Sequence, residues 1–239
     1  MIDNPGLLRL DSSASHHDGS ISRRLTSLYA DIWRERHGGD GYRYRDLAAD
    51  PVPPITHAYT ALGRRIEQHG GVPPEKVSGL VDGPDEEREW ALTEPLLSDV
   101  LAAHTVLIGA PMYNFSVPAA LKAWIDRVSF PAAFTDPDTG TPLLAGTEVV
   151  AVLTRGGAYG PGTPRHGFDF QMPYLRAYFG NLGIRETDVH IVRAEMTIAD
   201  LVPRLARFKE MAADSLTAAD AAIREMASRP RRKVRAGGV

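Results

Sequence analysis

The stretch TVLIGAPMYNFSVPAALKAWIDRV (105–128) contains a strand pattern, a loop and a helix pattern in direct succession. Residues 105–110 form a short apolar run, which is typical of a buried strand. Pro118 suits the first turn of a helix, where its missing N–H costs nothing. The apolar side of that helix consists of Leu121, Trp124, Ile125 and Val128. The sequence therefore predicts a β-loop-α unit in which the loop PMYNFSVP carries large side chains that the core does not need.

Four further apolar runs of similar length alternate with helical patterns along the chain. They are 6–11, 42–47, 148–154 and 187–194. The last helical pattern, roughly 200–228, predicts a long helix after the fifth strand. Strands that alternate with helices build parallel sheets covered by helices on both faces. The sequence therefore predicts an α/β fold with a doubly wound, five-stranded parallel sheet.

Length and composition bound the domain organisation. The chain has 239 residues, of which 43% are hydrophobic, and this suits one globular domain with a full core. We expect that domain to span 1–228. The basic end, 229–239, is predicted to be a disordered tail, with an arm that binds nucleic acid as the alternative. A formal net charge of −3 provides no general attraction to nucleic acid or to an acidic membrane surface.

Several kinds of chemistry are disfavoured by the residue types. The chain has no cysteine, which excludes disulfides, thiolate nucleophiles and sulfur-ligated metal clusters. The eight histidines show no metal-ligand spacing, so no metal site is predicted. No apolar run approaches the roughly 20 residues that span a bilayer, and no secretion signal is recognisable. We therefore expect a cytoplasmic protein with no membrane and no nucleic-acid partner.

A serine-rich loop follows the first predicted strand. It reads DSSASHHDGSISR (11–23) and runs directly into a helix. The N-terminus of a helix presents unpaired N–H groups and a partial positive charge, so this loop suits a phosphate. Taken alone, the loop is equally typical of a plain Ser N-cap on a turn. Neither GxGxxG nor GxxxxGK[ST] is present, which disfavours a dinucleotide or a P-loop nucleotide and leaves a mononucleotide.

Two other loops are expected at the same edge of the sheet, because parallel strands all end there. The loop after the third strand carries the aromatic residues of PMYNFSVP, which could instead fold back onto the core. The loop TRGGAYGPG (154–162) follows the fourth strand, and its paired glycines allow the backbone to approach a ligand closely, although a simple turn is the alternative. Together the three loops describe a site for a phosphate tethered to a planar heterocycle. Flavin mononucleotide (FMN) fits that description.

Several motifs in this chain resemble those of the FMN-dependent NADH-azoreductases and NAD(P)H:quinone oxidoreductases of the flavodoxin-like superfamily. They are LLRLDSSAS, GSISR, RDLAADPVP, PMYNFSVPAALKAWIDRV, TRGGAYG and PYLRAYFG, and they cover most of the chain. The resemblance implies the flavodoxin-like strand order 2-1-3-4-5. It also implies the residues that bind FMN: Ser12, Ser20, Ile21, Ser22, Pro111, Met112, Tyr113, Asn114, Phe115, Thr154, Arg155, Gly156, Gly157 and Tyr159.

The resemblance implies an activity as well. The family uses NADH or NADPH as co-substrate, reduces quinones or azo compounds in a ping-pong, two-electron reaction, and is typically a homodimer. No catalytic side chain is predicted, because the flavin carries the chemistry. The segments 130–146 and 160–172 depart from the family pattern and are expected to border the substrate pocket. An electron-carrier module without its own NAD(P)H activity and a reductive tailoring enzyme of secondary metabolism remain alternatives.

Overall fold

The computed structural model describes residues 6–16 and 19–229. Their centre is a sheet of five parallel strands in the order β2-β1-β3-β4-β5. The strands are β1 (Leu7–Asp11), β2 (Tyr42–Asp46), β3 (Thr105–Pro111), β4 (Glu148–Thr154) and β5 (Val189–Ala194). The predicted fold class, number of strands and strand order are confirmed. Each strand lies within two residues of the apolar run that predicted it.

Seven α-helices connect or follow the strands in the described part of the chain. They are α1 (Ile21–His37), α2 (His57–Gln68), α3 (Pro74–Val77), α4 (Gly83–Leu101), α5 (Ala119–Val128), α6 (Gln171–Asn181) and α7 (Lys209–Ser228). Helices α1 and α7 cover one face of the sheet, where Tyr29, Trp33 and Ile223 are buried against β1, β3 and β4. Helices α2, α4, α5 and α6 cover the other face, where Trp90, Trp124 and Phe179 are buried. The alternation of apolar residues in the strands therefore supplies two cores, one on each side.

The last helix begins later than predicted. The sequence pattern indicated a helix from about residue 200, whereas α7 starts at Lys209. Val202 is extended because it precedes Pro203, a position that disfavours the α conformation, and residues Pro203–Phe208 form a 3₁₀ turn instead. Leu201, which begins the apolar pattern of the predicted helix, is exposed. The basic tail predicted at 229–239 lies outside the described residues except for Arg229, as does the start of the predicted domain at 1–5.

The carboxyl ends of β1, β3 and β4 lie side by side because these three strands are neighbours in the sheet. Asp11 pairs with Gly109, and Pro111 pairs with Thr154. The loops that follow the three strands must therefore leave the sheet at the same edge. This edge is where ligands bind in doubly wound α/β proteins.

Candidate functional site

The serine loop, defined here as residues 12–16 and 19–20, ends at the N-terminus of α1. The Ser20 hydroxyl caps this helix by accepting a hydrogen bond from the Arg23 backbone N–H, and it lies 3.2 Å from the Ser22 hydroxyl. The N–H groups of Ile21 and Ser22 belong to the first turn, where no intrahelical acceptor exists. Three of the residues predicted to bind FMN, Ser20, Ile21 and Ser22, thus lie together at one helix end.

Ser12 occupies a different position in the same loop. Its side chain is buried, and both its hydroxyl and its backbone N–H donate to the Gly109 carbonyl of β3, at 2.8 and 3.0 Å. A Cβ on Gly109 would lie only 2.4 Å from the Asp11 carboxylate, so glycine is required for β3 to pass this close to the Asp11 side chain. Ser12 therefore anchors the start of the serine loop to the neighbouring strand.

A buried arginine fixes the middle of the serine loop. Arg23 donates to the Ser13 carbonyl at 2.7 Å and makes two hydrogen bonds to the Asp46 carboxylate, at 2.5 and 2.7 Å. Hydrogen bonding by Arg23 holds the pKa of Asp46 below its usual range. Tyr44 lies beside the same pair, and burial raises its pKa to about 12. We did not predict this cluster, because Asp46 stands far from Arg23 in the sequence.

The aromatic loop, residues 111–118, forms a tight turn whose tip faces solvent. The backbone groups of Tyr113 and Ser116 exchange two hydrogen bonds of 3.1 Å, and the two residues between them, Asn114 and Phe115, have φ of 48° and 71°. Positive φ at both central positions defines a type I′ turn. Tyr113, Asn114 and Phe115 are exposed and Met112 is half-buried, so their side chains do not fold back into the core.

The aromatic loop is tied to both of its neighbours. The Tyr113 hydroxyl accepts a hydrogen bond from the Ala14 N–H of the serine loop, at 3.2 Å. On the other side, the Met112 N–H donates to the Thr154 carbonyl at 2.8 Å. The three predicted loops therefore form one continuous surface. Half-buried Pro111 lies at the end of β3, where this surface begins.

In the glycine loop, residues 154–162, the adjacent Gly156 and Gly157 differ in how closely other side chains pack against them. A Cβ on Gly156 would lie 3.1 Å from the Ile198 side chain, so packing against Ile198 also favours glycine there. A Cβ on Gly157 would meet Tyr159 and Arg165 at ordinary contact distances. In the described part of the chain, neither glycine N–H donates a hydrogen bond to another residue. Both N–H groups therefore remain available to a ligand.

Arg155 and Tyr159 are directed towards the protein interior. The Arg155 side chain is completely buried and pairs with Asp169 and Glu195. Its backbone N–H donates to Ala194, and its carbonyl accepts from Thr197. Buried Tyr159 lies under the rim of the site, with its ring centroid 6.4 Å from that of Phe115. Of these predicted ligands, Tyr159 lies beside the crevice, whereas the Arg155 guanidinium lies behind it.

Two exposed aromatic rings and one buried amide that the sequence did not single out also lie at this edge. The ring of Phe168 lies 5.2 Å from that of Phe115, and the Phe170 N–H donates to the Phe115 carbonyl at 3.1 Å. The Gln171 amide donates to the carbonyls of Ala110 and Pro111 at 3.1 and 3.2 Å. Phe168 and Phe170 are 49% and 58% exposed, which is unusual for large aromatic residues. The only signal in the sequence was that the segment 160–172 departs from the family pattern.

Two grooves elsewhere on the surface contain none of the predicted site residues. One, of about 580 Å³, lies along α4 and is lined by Val81, Trp90 and Glu94 among others. The other, of about 350 Å³, lies between α4 and the segment after β2. We assign the site to the carboxyl edge of the sheet because the loops, the strained turn and the free N–H groups converge there. Among the described residues, no group of three or more potential ligands could hold a metal ion.

The residues at the sheet edge fit FMN. The first turn of α1 offers N–H groups and the paired hydroxyls of Ser20 and Ser22, which suit a terminal phosphate. The exposed rings of Tyr113 and Phe115 provide a partly apolar surface for a planar ring system. The unpaired N–H groups of Gly156 and Gly157 can donate to carbonyl oxygens of such a ring. These groups are hydrogen-bond donors that carry no formal charge, and only the helix end adds a partial positive one. Such a set suits a flavin rather than a metal ion.

Comparison with known proteins identifies the class first. A family model described as "Flavodoxin-like fold" matches residues 6–216. An FMN-dependent NADH-azoreductase from Bacillus anthracis str. Ames Ancestor, solved in complex with FMN, superposes with a TM-score of 0.71 at 22% identity, over 93% of this chain and 100% of that one. At that identity the superposition establishes the fold. The chain therefore belongs to the flavodoxin-like class.

The particular family follows from curated relatives. A protein of Nocardia farcinica (strain IFM 10152) is 43% identical over 203 residues, which cover 84% of this chain and 88% of the relative. A protein of Kineococcus radiotolerans is 40% identical over 224 residues, covering 93% and 98%. Both are named FMN-dependent NADH:quinone oxidoreductase. The chain belongs to that family, and the family predicted from the sequence is confirmed.

Proposed function

We propose that this protein is an FMN-dependent oxidoreductase that transfers electrons from NADH to quinones or azo compounds. The observation that carries the proposal is the joining of three loops at one edge of the sheet. The serine loop meets the aromatic loop through Ala14 and Tyr113, and the aromatic loop meets the glycine loop through Met112 and Thr154. The names of the curated relatives support the same cofactor, co-substrate and acceptor class.

The serine loop would hold the phosphate of FMN. The Ser20 and Ser22 hydroxyls and the first-turn N–H groups of α1 supply donors without a formal positive charge, and the helix dipole adds a partial one. The nearby Arg23 guanidinium is already engaged by Asp46, so it orients the loop and does not bind the phosphate directly. Ser12 would act by anchoring the loop to β3. This division of roles keeps the phosphate site rigid before FMN binds.

The aromatic and glycine loops would hold the ring system. Pro111 and Met112 lie at the base of the aromatic loop, and Tyr113, Asn114 and Phe115 lie at its exposed tip. When bound, FMN supplies the redox chemistry by accepting hydride from NADH and passing two electrons to the acceptor. The N–H groups of Gly156 and Gly157 would donate hydrogen bonds to the ring and stabilise negative charge that develops on it. No side chain of this protein is required as a nucleophile.

The acceptor would lie against Phe168 and Phe170. These rings extend the aromatic surface of Phe115 outward, and their exposure leaves them free to contact a flat substrate. A quinone is compact and would fit beside them more easily than an azo compound with two bulky rings. We therefore expect quinones to be the faster acceptors.

The proposal includes two copies of the chain in the active form and a cytoplasmic location. The resemblance to the azoreductase family supports the homodimer, and sedimentation of the FMN-loaded protein tests it. Among the residues that the structure describes, no helix is both long and apolar enough to cross a membrane.

Steady-state kinetics test the function. Initial rates of NADH oxidation by the FMN-loaded protein, measured against menadione at several fixed NADH concentrations, should give parallel double-reciprocal lines. Parallel lines are expected because donor and acceptor would use the same exposed ring face in turn. Intersecting lines would show that both bind together and would contradict the shared site. NADH alone, under argon and without menadione, should bleach the flavin of the enzyme. An electron-carrier module would be bleached only after a separate reductase is added.

A further inference from the structure

Arg155 is a completely buried charged residue near the site, and its guanidinium does not face the ligand surface. Its side chain is 0% exposed, although it lies next to the two glycines of the glycine loop. A buried guanidinium is stable only when acceptors surround it. The surroundings of Arg155 therefore indicate what this residue does.

One arm of the Arg155 guanidinium reaches the start of α6. Nη2 lies 2.9 Å from Oδ2 of Asp169, although neither Nη2 nor Nε makes an aligned hydrogen bond in the described part of the chain. This contact is therefore an ion pair more than a directed hydrogen bond. The other oxygen of Asp169 accepts the N–H groups of Gln171 and Met172, both at 3.1 Å, and so caps α6. Asp169 also lies between Phe168 and Phe170, the two exposed rings of the rim.

The second arm reaches the end of β5. Nη1 lies 3.3 Å from Oε1 of Glu195. The same oxygen accepts the Tyr159 N–H at 3.2 Å. The Arg155 guanidinium also lies 5.7 Å from the centre of the Tyr159 ring. This arm therefore holds the glycine loop and the ring that lies beside Phe115.

On the basis of the proposed function, we propose that Arg155 is a positioning residue with two separable arms. The Asp169 arm holds the aromatic segment 168–170, against which the electron acceptor lies. The Glu195 arm holds Tyr159 and the glycine loop, against which the FMN ring lies. Arg155 itself touches neither FMN nor the acceptor. The two carboxylates should therefore affect two different binding constants.

Two substitutions of Asp169 test the first arm. Asp169→Ser keeps a side chain that can cap α6 but cannot reach Arg155, whereas Asp169→Asn keeps the side-chain length but has one acceptor oxygen, so that capping α6 turns its NH2 group towards the Arg155 guanidinium. Because small misplacements near a reacting group cost up to about 100-fold, we expect Asp169→Ser to raise the menadione KM about tenfold. The Kd for FMN should stay within about twofold of wild type in both variants, and Asp169→Asn should raise the menadione KM by a similar factor, because its single acceptor oxygen cannot serve both α6 and Arg155.

Two substitutions of Glu195 test the second arm. Glu195→Ala removes the acceptor of both Arg155 and Tyr159, whereas Glu195→Gln retains an oxygen that can accept the Tyr159 N–H. We expect Glu195→Ala to weaken FMN binding to the apoprotein about tenfold, measured by quenching of flavin fluorescence. At saturating FMN the menadione KM should remain that of wild type. Glu195→Gln should restore most of the FMN affinity, because the bond to Tyr159 is retained.

Glu89→Gln is the matched control for loss of stability. Glu89 of α4 pairs at 2.7 Å with Arg127 of α5, another completely buried arginine. This variant should lower the melting temperature and leave both the FMN Kd and the menadione KM unchanged. If the Asp169 and Glu195 variants change only the melting temperature, or change the two constants together, the two-arm role is wrong. If wild type fails to reduce menadione with NADH, the proposed function fails instead, and the FMN Kd of the Glu195 variants still tests the second arm.

Discussion

At the scale of single residues, Phe115 shows how the site is prepared before a ligand arrives. Its φ is 71°, a left-handed conformation that costs an ordinary L-residue about 1–2 kcal/mol. Asn114, the residue before it, tolerates this region far better than a bulky aromatic does. Non-glycine residues persist in such conformations mainly where the surroundings impose them, often at ligand sites. Here the turn directs the ring to the crevice beside Phe168 and away from the core.

The strain can be separated from the role of the ring by substitution. Phe115→Gly creates Asn-Gly, the preferred type I′ turn, and relieves the strain while removing the ring. Phe115→Ala removes the ring and keeps the strain. We expect the Gly variant to be about 1 kcal/mol more stable than the Ala variant in chemical unfolding of the apoprotein. Both should bind FMN about tenfold more weakly, the loss of about 1.4 kcal/mol of ring contact. Wild-type FMN affinity in both variants would show that the ring serves only the loop.

At the scale of elements, one side chain joins α1, β2 and the serine loop. Arg23 in the first turn of α1 contacts Asp46 at the end of β2 and the Ser13 carbonyl. The Arg23 side chain is only 6% exposed and that of Asp46 is 24% exposed. Screening by water is therefore limited, and the pair can hold the loop that we propose receives the phosphate. The hydrogen bond from Arg23 is the main reason that the pKa of Asp46 is lowered.

A lowered carboxylate pKa predicts how the stability of the fold changes with pH. The folded pKa of Asp46 lies below its reference value of 3.8, so its stabilising effect is complete above about pH 5 and is lost as the pH falls through the folded pKa. We expect apo wild type to be more stable than Asp46→Asn at pH 7, with the difference shrinking below about pH 4. Urea unfolding at pH 3 to 7 measures this. Asp31→Asn, which removes an exposed carboxylate paired with Arg34, controls for net charge. A difference that stays constant down to pH 3 would rule out the pair as its source.

At the scale of the whole molecule, the sequence predicted those features that depend on residues close together in the chain. The apolar runs located all five strands, and the motif resemblance supplied their order. The predicted start of α7 was wrong because Pro203 disfavours the helical conformation of the residue before it, although the apolar pattern continues through both positions. The burial of the Arg155 guanidinium was not predictable either, since its partner Glu195 is distant in sequence and becomes adjacent only when β4 and β5 pair. Motifs locate a loop at the sheet edge, but the tertiary pairing decides which side chains in it face the ligand.

FMN binding should stabilise the entire domain, because under the proposed assignment one ligand contacts loops from three neighbouring strands. A ligand at 100 times its Kd stabilises the folded state by about 2.7 kcal/mol, which raises the melting temperature of a domain of this size by about 5–10 °C. Riboflavin has the ring system but no phosphate, so its effect should be much smaller at the same concentration. Ser20→Asp tests the assignment of the phosphate to α1, since Asp caps a helix as well as Ser does but repels a phosphate dianion. We expect this variant to melt close to wild type without ligand, to lose most of the FMN shift, and to keep the riboflavin shift. An FMN shift equal to that of wild type would place the phosphate away from the N-terminus of α1.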